Sequence, residues 1–209
     1  MYNQYVIQSR NNYSQSILSP TISSEAWPFP LLKEKFINTL SKRESFRLFD
    51  VSKRQLTNNQ LNSLATHATQ CITQFHLQDL LKVCFIDQAK LLSTERAVYI
   101  RNQQEWEQKC VLTNSSIEES LYLQLEMHRA SGVFYFEWDV NRITEFKRLI
   151  DYRYMLAMSG LLGHQLSLKA TEMELRSTVF AGLTLIEYLE ELQHNREMQR
   201  LPLFAFAIQ

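Results

Sequence analysis

Apolar positions along this 209-residue chain change period several times, and each change marks an element. From Leu31 to Leu40 the side chains of Leu32, Phe36, Ile37 and Leu40 recur at helical spacing, which predicts a first helix. Thr57-Asn58-Asn59-Gln60 has the form of a capping box, in which Thr and Gln side chains satisfy each other's backbone N–H groups. Behind it Leu61, Leu64, Ala65, Ala68, Cys71 and Ile72 form one apolar stripe, the signature of a helix with one buried face. The segments 82–87 and 96–101 are rich in β-branched and aromatic residues and predict strands. Ser115-Ser116-Ile117-Glu118 is a second capping box and opens a helix to about Arg129. Gly132-Val133-Phe134-Tyr135-Phe136-Glu137-Trp138 is the strongest strand in the chain. From about Thr144 to Leu175 the pattern is helical, with an apolar centre nearly continuous enough to be buried on most sides. A near-extended Val-Phe-Ala-Gly run ends at Gly182, Thr184-Leu185-Ile186-Glu187 caps a further helix, and Leu203 to Ile208 form a closing strand.

Helices and strands mix without strict βαβ alternation, so the expected fold is α+β: a mixed, mostly antiparallel sheet flanked by helices, with a long central buried helix. Residues 1–26 are polar and aperiodic and are expected to form an arm or loop, leaving 27–209 as one domain. Trp27-Pro28-Phe29-Pro30 is extended, because each proline restricts its predecessor. The central helix exceeds the ~12-residue average. In a small α+β domain it needs a sheet on each side or a second chain, which points to a dimer.

Composition narrows the function. Lys plus Arg and Asp plus Glu both number 22, for a formal charge of zero, so no global field favours nucleic acid or anionic lipid. No apolar run approaches the ~20 residues of a membrane span, and the first residues lack a signal pattern, so a cytoplasmic location is expected. Cys71, Cys84 and Cys110 are far apart without ligand spacing, as buried reduced thiols would be. His67, His76, His128, His164 and His194 are scattered, and no metal site is expected. No nucleophile elbow is present. Glycine numbers only four, which argues against an elaborate nucleotide loop, since such loops need glycine for close backbone approach.

The candidate chemistry lies in Arg43-Glu44-Ser45-Phe46-Arg47-Leu48-Phe49. Two guanidinium forks and a hydroxyl within five residues suit a phosphate; a solvated turn with a surface ion pair to Glu44 or Asp50 is the plainer alternative. With the later positions Tyr152, Arg153, Tyr154, Leu156, Gly160, Gln165, Leu166, Leu168, Ala170, Leu175 and Gly182, the segment resembles the nitroreductase-like flavoenzymes. The resemblance runs from Pro28 to the end and is closest to the azoline-oxidising dehydrogenases that tailor ribosomal peptides. It implies FMN as cofactor, with Arg43, Ser45 and Arg47 at its phosphate and ribityl chain and Gln165 beside it. It implies a homodimer, or a heterodimer with a related subunit, acting on a small-molecule or peptide-derived substrate.

Three departures from the family pattern bear on activity. Thr73-Gln74-Phe75-His76 replaces a Pro-Ser-x-Gly type segment. Glu174-Leu175-Arg176 replaces Gly-Leu-Gly, so Arg176 either supplies a side-chain cation to the phosphate or is a surface arginine favourable to a helix end. Phe146-Lys147 stands where the family's Lys-Tyr acid/base pair would be, leaving Lys147 as the only catalytic candidate. Gln165 and Gly160 also suit plain packing, and His164, adjacent to Gln165, suits either a pocket lining or, by default, a hydrogen-bonded core position. The resemblance therefore implies an FMN-dependent oxidoreductase or, alternatively, a flavin-free scaffold or partner subunit of a biosynthetic complex.

Overall fold

A computed structural model describes residues 33–53, 56–112, 124–139, 149–181, 183 and 200–209. The chain divides into two compact units, Met1–Asn38 and Thr39–Gln209. Of the first, only the opening residues of helix α1 (Lys33–Lys42) are described. The sheet and both longer helices belong to the second.

Helix α2 (Asn58–Gln74) starts at the capping box: Gln60 N–H donates to Thr57 Oγ1, and Thr57 N–H donates to Gln60 Oε1 at 2.9 Å. It buries Leu61, Leu64, Ala65, Ala68, Cys71 and Ile72, the stripe expected from the pattern. It ends in a Schellman turn, with Leu77 N–H bonded to Ile72 C=O at 2.9 Å and His76 at φ 56 in the left-handed position. The stretch Thr73–His76 is thus the last turn and cap of α2.

The strands are β1 (Leu81–Asp87), β2 (Ala97–Asn102), β3 (Glu105–Val111), β4 (Gly132–Asp139), β5 (Ser177–Phe180) and β6 (Arg200–Ile208). They form a six-stranded sheet in the order β3-β2-β1-β4-β6-β5, with every pairing antiparallel. The fold is α+β, as the alternation of periods predicts. Strand β3 carries no apolar alternation because it is an edge strand: Glu105, Glu107 and Gln108 are exposed, and charge on an edge opposes further pairing. The second capping box and the helix opening at Thr184 lie outside the described residues. The described end of the former segment, Leu125–Arg129, is a 3₁₀ turn that buries Met127.

Both sheet faces are covered, which is why β1 and β4 are buried along nearly their whole length. One face carries Phe85, Phe134, Phe136, Trp138 and Phe206, with Phe85 and Phe134 centroids 4.9 Å apart and Phe134 and Phe206 6.4 Å apart. The other carries Cys84, Ile86, Val98, Ile100, Tyr135 and Ala207 beneath Phe49, Met127 and Ala130. Gly132 is required where β4 passes β1: an added Cβ would lie 2.8 Å from Ile86 O and against the Phe85 ring.

Helix α3 (Leu149–Glu172) lies on the aromatic face. Trp138 Nε1–H donates to Ser159 Oγ at 2.8 Å, joining β4 to the helix. Met155, Ser159, Leu162, Leu166, Ser167 and Ala170 are buried. The outer side keeps apolar residues in water, with Tyr154 51% and Leu161 37% exposed. The apolar centre read from the sequence is therefore divided between a face on the sheet and a face turned outward.

Candidate functional site

After α1 the chain runs from Arg43 to Asp50 outside any helix or strand, and its less exposed residues Arg43, Phe46 and Phe49 are spaced three apart. Phe46 and Phe49 turn inward, their rings edge-to-face at 5.6 Å with Phe49 fully buried, while Ser45, Arg47 and Leu48 are exposed. Arg43 is half-buried.

Three parts of the chain clamp this segment. Phe46 N–H donates to Ser177 C=O at 2.8 Å, which docks it at the start of β5. Arg176, one residue earlier, lays its guanidinium over the Phe46 ring at 4.6 Å. The last residue closes the clamp: Asp50 N–H donates to Gln209 Oε1 at 3.2 Å, and Gln209 Nε2 donates back to Asp50 C=O. Gln209 in turn exchanges backbone bonds of 3.0 and 2.9 Å with Arg176, extending the β5–β6 ladder.

Helix α3 meets the same edge. A Cβ on Gly163 would lie 3.2 Å from Val179 Cγ1, so the helix backbone rests on β5. The next residue, His164, is exposed, and its pKa is lowered, first by desolvation and then by the Arg43 guanidinium. Gln165 is half-buried, and its backbone carbonyl accepts from His67 of α2. Burial holds the His67 pKa down and Lys169 adds to this, against the opposing pull of Glu172 and of that carbonyl. His67 Nε2 lies 3.8 Å from Cys71 Sγ, and Lys169 pairs with Glu172 at 3.2 Å. This is an interhelical polar seam behind the turn that carries His164 and Gln165.

The structure therefore gathers Arg43, Arg176 and the Arg47 backbone at one corner, where β5, α3 and the 43–50 segment meet. Gln165 belongs to the α3 turn beside that corner. Ser45 and Arg47 point to solvent from it, and Lys147 lies outside the described residues. The Glu44 or Asp50 ion pair considered from sequence is not how the segment is tied: the Asp50 carboxylate accepts from Ser52 N–H and Oγ–H, which lowers its pKa, with Lys53 3.9 Å away. Phe46, His164 and Gln209 carry no chemical motif in the sequence.

Glu174 stands where the resemblance implies a glycine. It ends α3 at φ 58, with Glu174 N–H bonded to Thr171 C=O at 3.1 Å and Leu175 N–H to Ala170 C=O at 2.9 Å. That left-handed position suits glycine, and here it carries an exposed carboxylate.

Among the described residues no group of three or more His, Cys, Asp or Glu could hold a metal ion. No described helix is long and apolar enough to cross a membrane. Cys71, Cys84 and Cys110 are all buried, and burial pushes the Cys71 thiol up to about 11, far from a reactive thiolate.

No family model and no curated protein matches the chain. Solved structures do match. A protein of Anabaena variabilis described as a nitroreductase is 19% identical with a TM-score of 0.63, covering 84% of this chain and 38% of its own. A chain of the E. coli microcin synthetase McbBCD complex with truncated pro-MccB17 bound is 15% identical with a TM-score of 0.58, covering 81% and 71%. The nitroreductase CinD from Lactococcus lactis, in complex with nicotinic acid, is 13% identical with a TM-score of 0.51, covering 83% and 87%. The chain has the nitroreductase-like fold. It spans well under half the length of the Anabaena protein.

Proposed function

We propose that the chain is a flavin-binding subunit of an FMN-dependent oxidoreductase of the nitroreductase-like type, acting on a peptide-derived or other small biosynthetic intermediate. The observation that carries this reading is the cationic corner: Arg176 stacks on the Phe46 ring, and Arg43, three residues before Phe46 and next after α1, helps lower the His164 pKa. The residues fit the phosphate end of FMN. Arg43 and Arg47 would offer planar donor forks, Ser45 a hydroxyl, and Arg176 a further cation. Bound flavin would supply hydride transfer. The chain's part is to hold the phosphate, orient the ring along α3 near Gln165, and exclude water. Lys147 is the candidate proton donor. Support for the peptide-derived substrate comes from the likeness to a chain of the microcin synthetase McbBCD complex with truncated pro-MccB17 bound.

A second subunit belongs to this reading. Tyr154 and Leu161 on the outer side of α3 are the apolar surface it would cover.

Glu174 favours a second reading, a flavin-free scaffold or partner subunit, because a carboxylate occupies a position suited to glycine at φ 58. The two are separated by titrating purified protein with FMN and following visible absorbance and flavin fluorescence. Saturable uptake is expected, and Arg43→Ala should weaken it by ~1.5–3 kcal/mol, the value of a charge-assisted hydrogen bond. Protein that takes up no FMN would overturn the flavin reading, and unchanged affinity in Arg43→Ala would remove that residue from the site.

A further inference from the structure

We propose that Cys71, His67 and the Gln165 carbonyl form a hydrogen-bonded latch between α2 and α3 that acid opens: the thiol donates to His67 Nε2, the ring donates to the carbonyl, and a proton on Nε2 breaks the chain. The latch is independent of whether the chain binds flavin.

The geometry is that of two packed helices. Cys71 follows His67 by four residues, one turn along α2, so their side chains stack on one face. Cys71 Sγ lies 3.8 Å from His67 Nε2, within reach of a sulfur hydrogen bond. The thiol is buried in the apolar stripe of α2, and the ring stands half-buried at its margin. From there the ring donates across to the Gln165 carbonyl of α3. The α3 turn that supplies this carbonyl is braced on its other side, where a Cβ on Gly163 would lie 3.2 Å from Val179 Cγ1 of β5. The latch therefore ties α2 to a turn that already rests on the sheet.

A neutral imidazole has one donor and one acceptor nitrogen. With the thiol at Nε2, donation to the carbonyl falls to Nδ1. Burial pushes the Cys71 thiol up to about 11, so it keeps its proton and acts as the donor throughout the neutral range. The other ionisable groups acting on the ring are Lys169 and Glu172 of α3, paired with each other at 3.2 Å. Strand β1 also packs on α2, but its Lys82 and Asp87 have no part in that balance. Burial first, then Lys169, hold the His67 pKa down against Glu172 and the carbonyl. Imidazolium carries two donors and no acceptor, so a protonated Nε2 sets N–H against S–H where water cannot intervene. Because the folded-state pKa lies below the unfolded one, the latch is at full strength above the unfolded value. It weakens as pH falls from there through the folded value.

Two NMR measurements on the full chain test this. Long-range proton–nitrogen spectra read the ring directly: at pH 7.5 His67 is expected to carry its proton on Nδ1, with Nε2 bare. Native-state amide exchange, corrected for intrinsic rates, reads the opening of the seam. On going from pH 7.5 to pH 5, residues 66–74 of α2 and 162–170 of α3 are expected to lose more protection than the β1–β4 ladder. His67→Gln, which keeps a donor but cannot titrate, is expected to remove that difference. Cys71→Val, which keeps bulk but has no donor, is expected to raise opening of the seam at pH 7.5 by roughly two- to tenfold, the value of one hydrogen bond. A proton on Nε2 at pH 7.5 overturns the proposal, and this is read on the wild-type protein whatever the variants do. The same acid-induced loss in His67→Gln, or unchanged opening in Cys71→Val, overturns it equally.

Discussion

Replacing Glu174 with glycine tests the structure at the point where it departs most clearly from the flavoenzyme pattern. The residue closes α3 at φ 58, and a side chain there costs ~1–2 kcal/mol because Cβ crowds the following carbonyl. Glycine removes that cost but adds ~0.5–1 kcal/mol of chain freedom in the unfolded state. The carboxylate also sits at the negative end of the helix dipole, an unfavourable placement of ~0.3–1 kcal/mol. Because the side chain is exposed, no packing is lost, and Glu174→Gly should stabilise the protein by ~1 kcal/mol. For a chain of this size that corresponds to a rise in Tm of ~2–4 °C. Glu174→Ala removes the charge but keeps the backbone cost, so its gain should be smaller and should vanish in high salt. Urea unfolding followed by tryptophan fluorescence measures both. If alanine stabilises as much as glycine, the backbone at 174 is unstrained and the reasoning fails. The same variant bears on function: if the carboxylate is what keeps flavin away, Glu174→Gly should take up FMN where the parent protein does not.

Other expected outcomes concern how α3 and the sheet are held. Ser159→Ala leaves the buried Trp138 N–H without its 2.8 Å acceptor, so stability should fall by ~1–3 kcal/mol; a loss no larger in wild type than in a Trp138→Phe background would disprove the bond's role. Gly132→Ala drives a methyl against the Phe85 ring and Ile86 O and should cost ~1–3 kcal/mol by overpacking. Gly160→Ala meets nothing within 4 Å and should stabilise α3 by ~0.5–1 kcal/mol; equal Tm shifts for the two would contradict the packing described. The Cys71 thiol, pushed up to about 11 by burial, is favoured in its protonated form by the fold. Its contribution is therefore complete below the unfolded-state pKa and is lost as pH rises towards the folded value. Stability measured from pH 8 to pH 11 should fall more in wild type than in Cys71→Ser, and parallel curves would refute this.

The elements legible in the sequence are those whose signal is local. Thr57 and Gln60 announce the start of α2 by themselves, and the stripe from Leu61 to Ile72 gives its buried face. The run from Gly132 to Trp138 reads as a strand because both of its faces are covered, so nearly every residue is apolar. Strand β3 escaped because an edge strand with Glu105 and Glu107 in water has no apolar period to detect. The division of α3 also escaped, since Tyr154 and Leu161 are as apolar as the buried Met155 and Leu162, and composition alone cannot tell a covered face from an open one. At the corner, Arg43, Ser45 and Arg47 are visible as a chemical grouping, whereas their setting depends on Ser177 and Gln209, more than a hundred residues later. No local pattern encodes such contacts.

That dependence gives the corner its physical character. A segment outside helix and strand has no regular ladder of internal hydrogen bonds, so Arg43 and Arg47 could hold a phosphate-sized group only if something else fixed their backbone. Here the fixing is done by Phe46 N–H on Ser177, by Arg176 over the Phe46 ring, and by the Gln209 amide across Asp50. Each contact uses main-chain or side-chain groups other than the Arg43 guanidinium and the Ser45 hydroxyl. Under the proposed function, these are the groups that would meet the phosphate. A segment tied down by its own arginines would be ordered but chemically spent. Among the described contacts, this one is held by Phe46, Asp50 and their neighbours Ser177, Arg176 and Gln209.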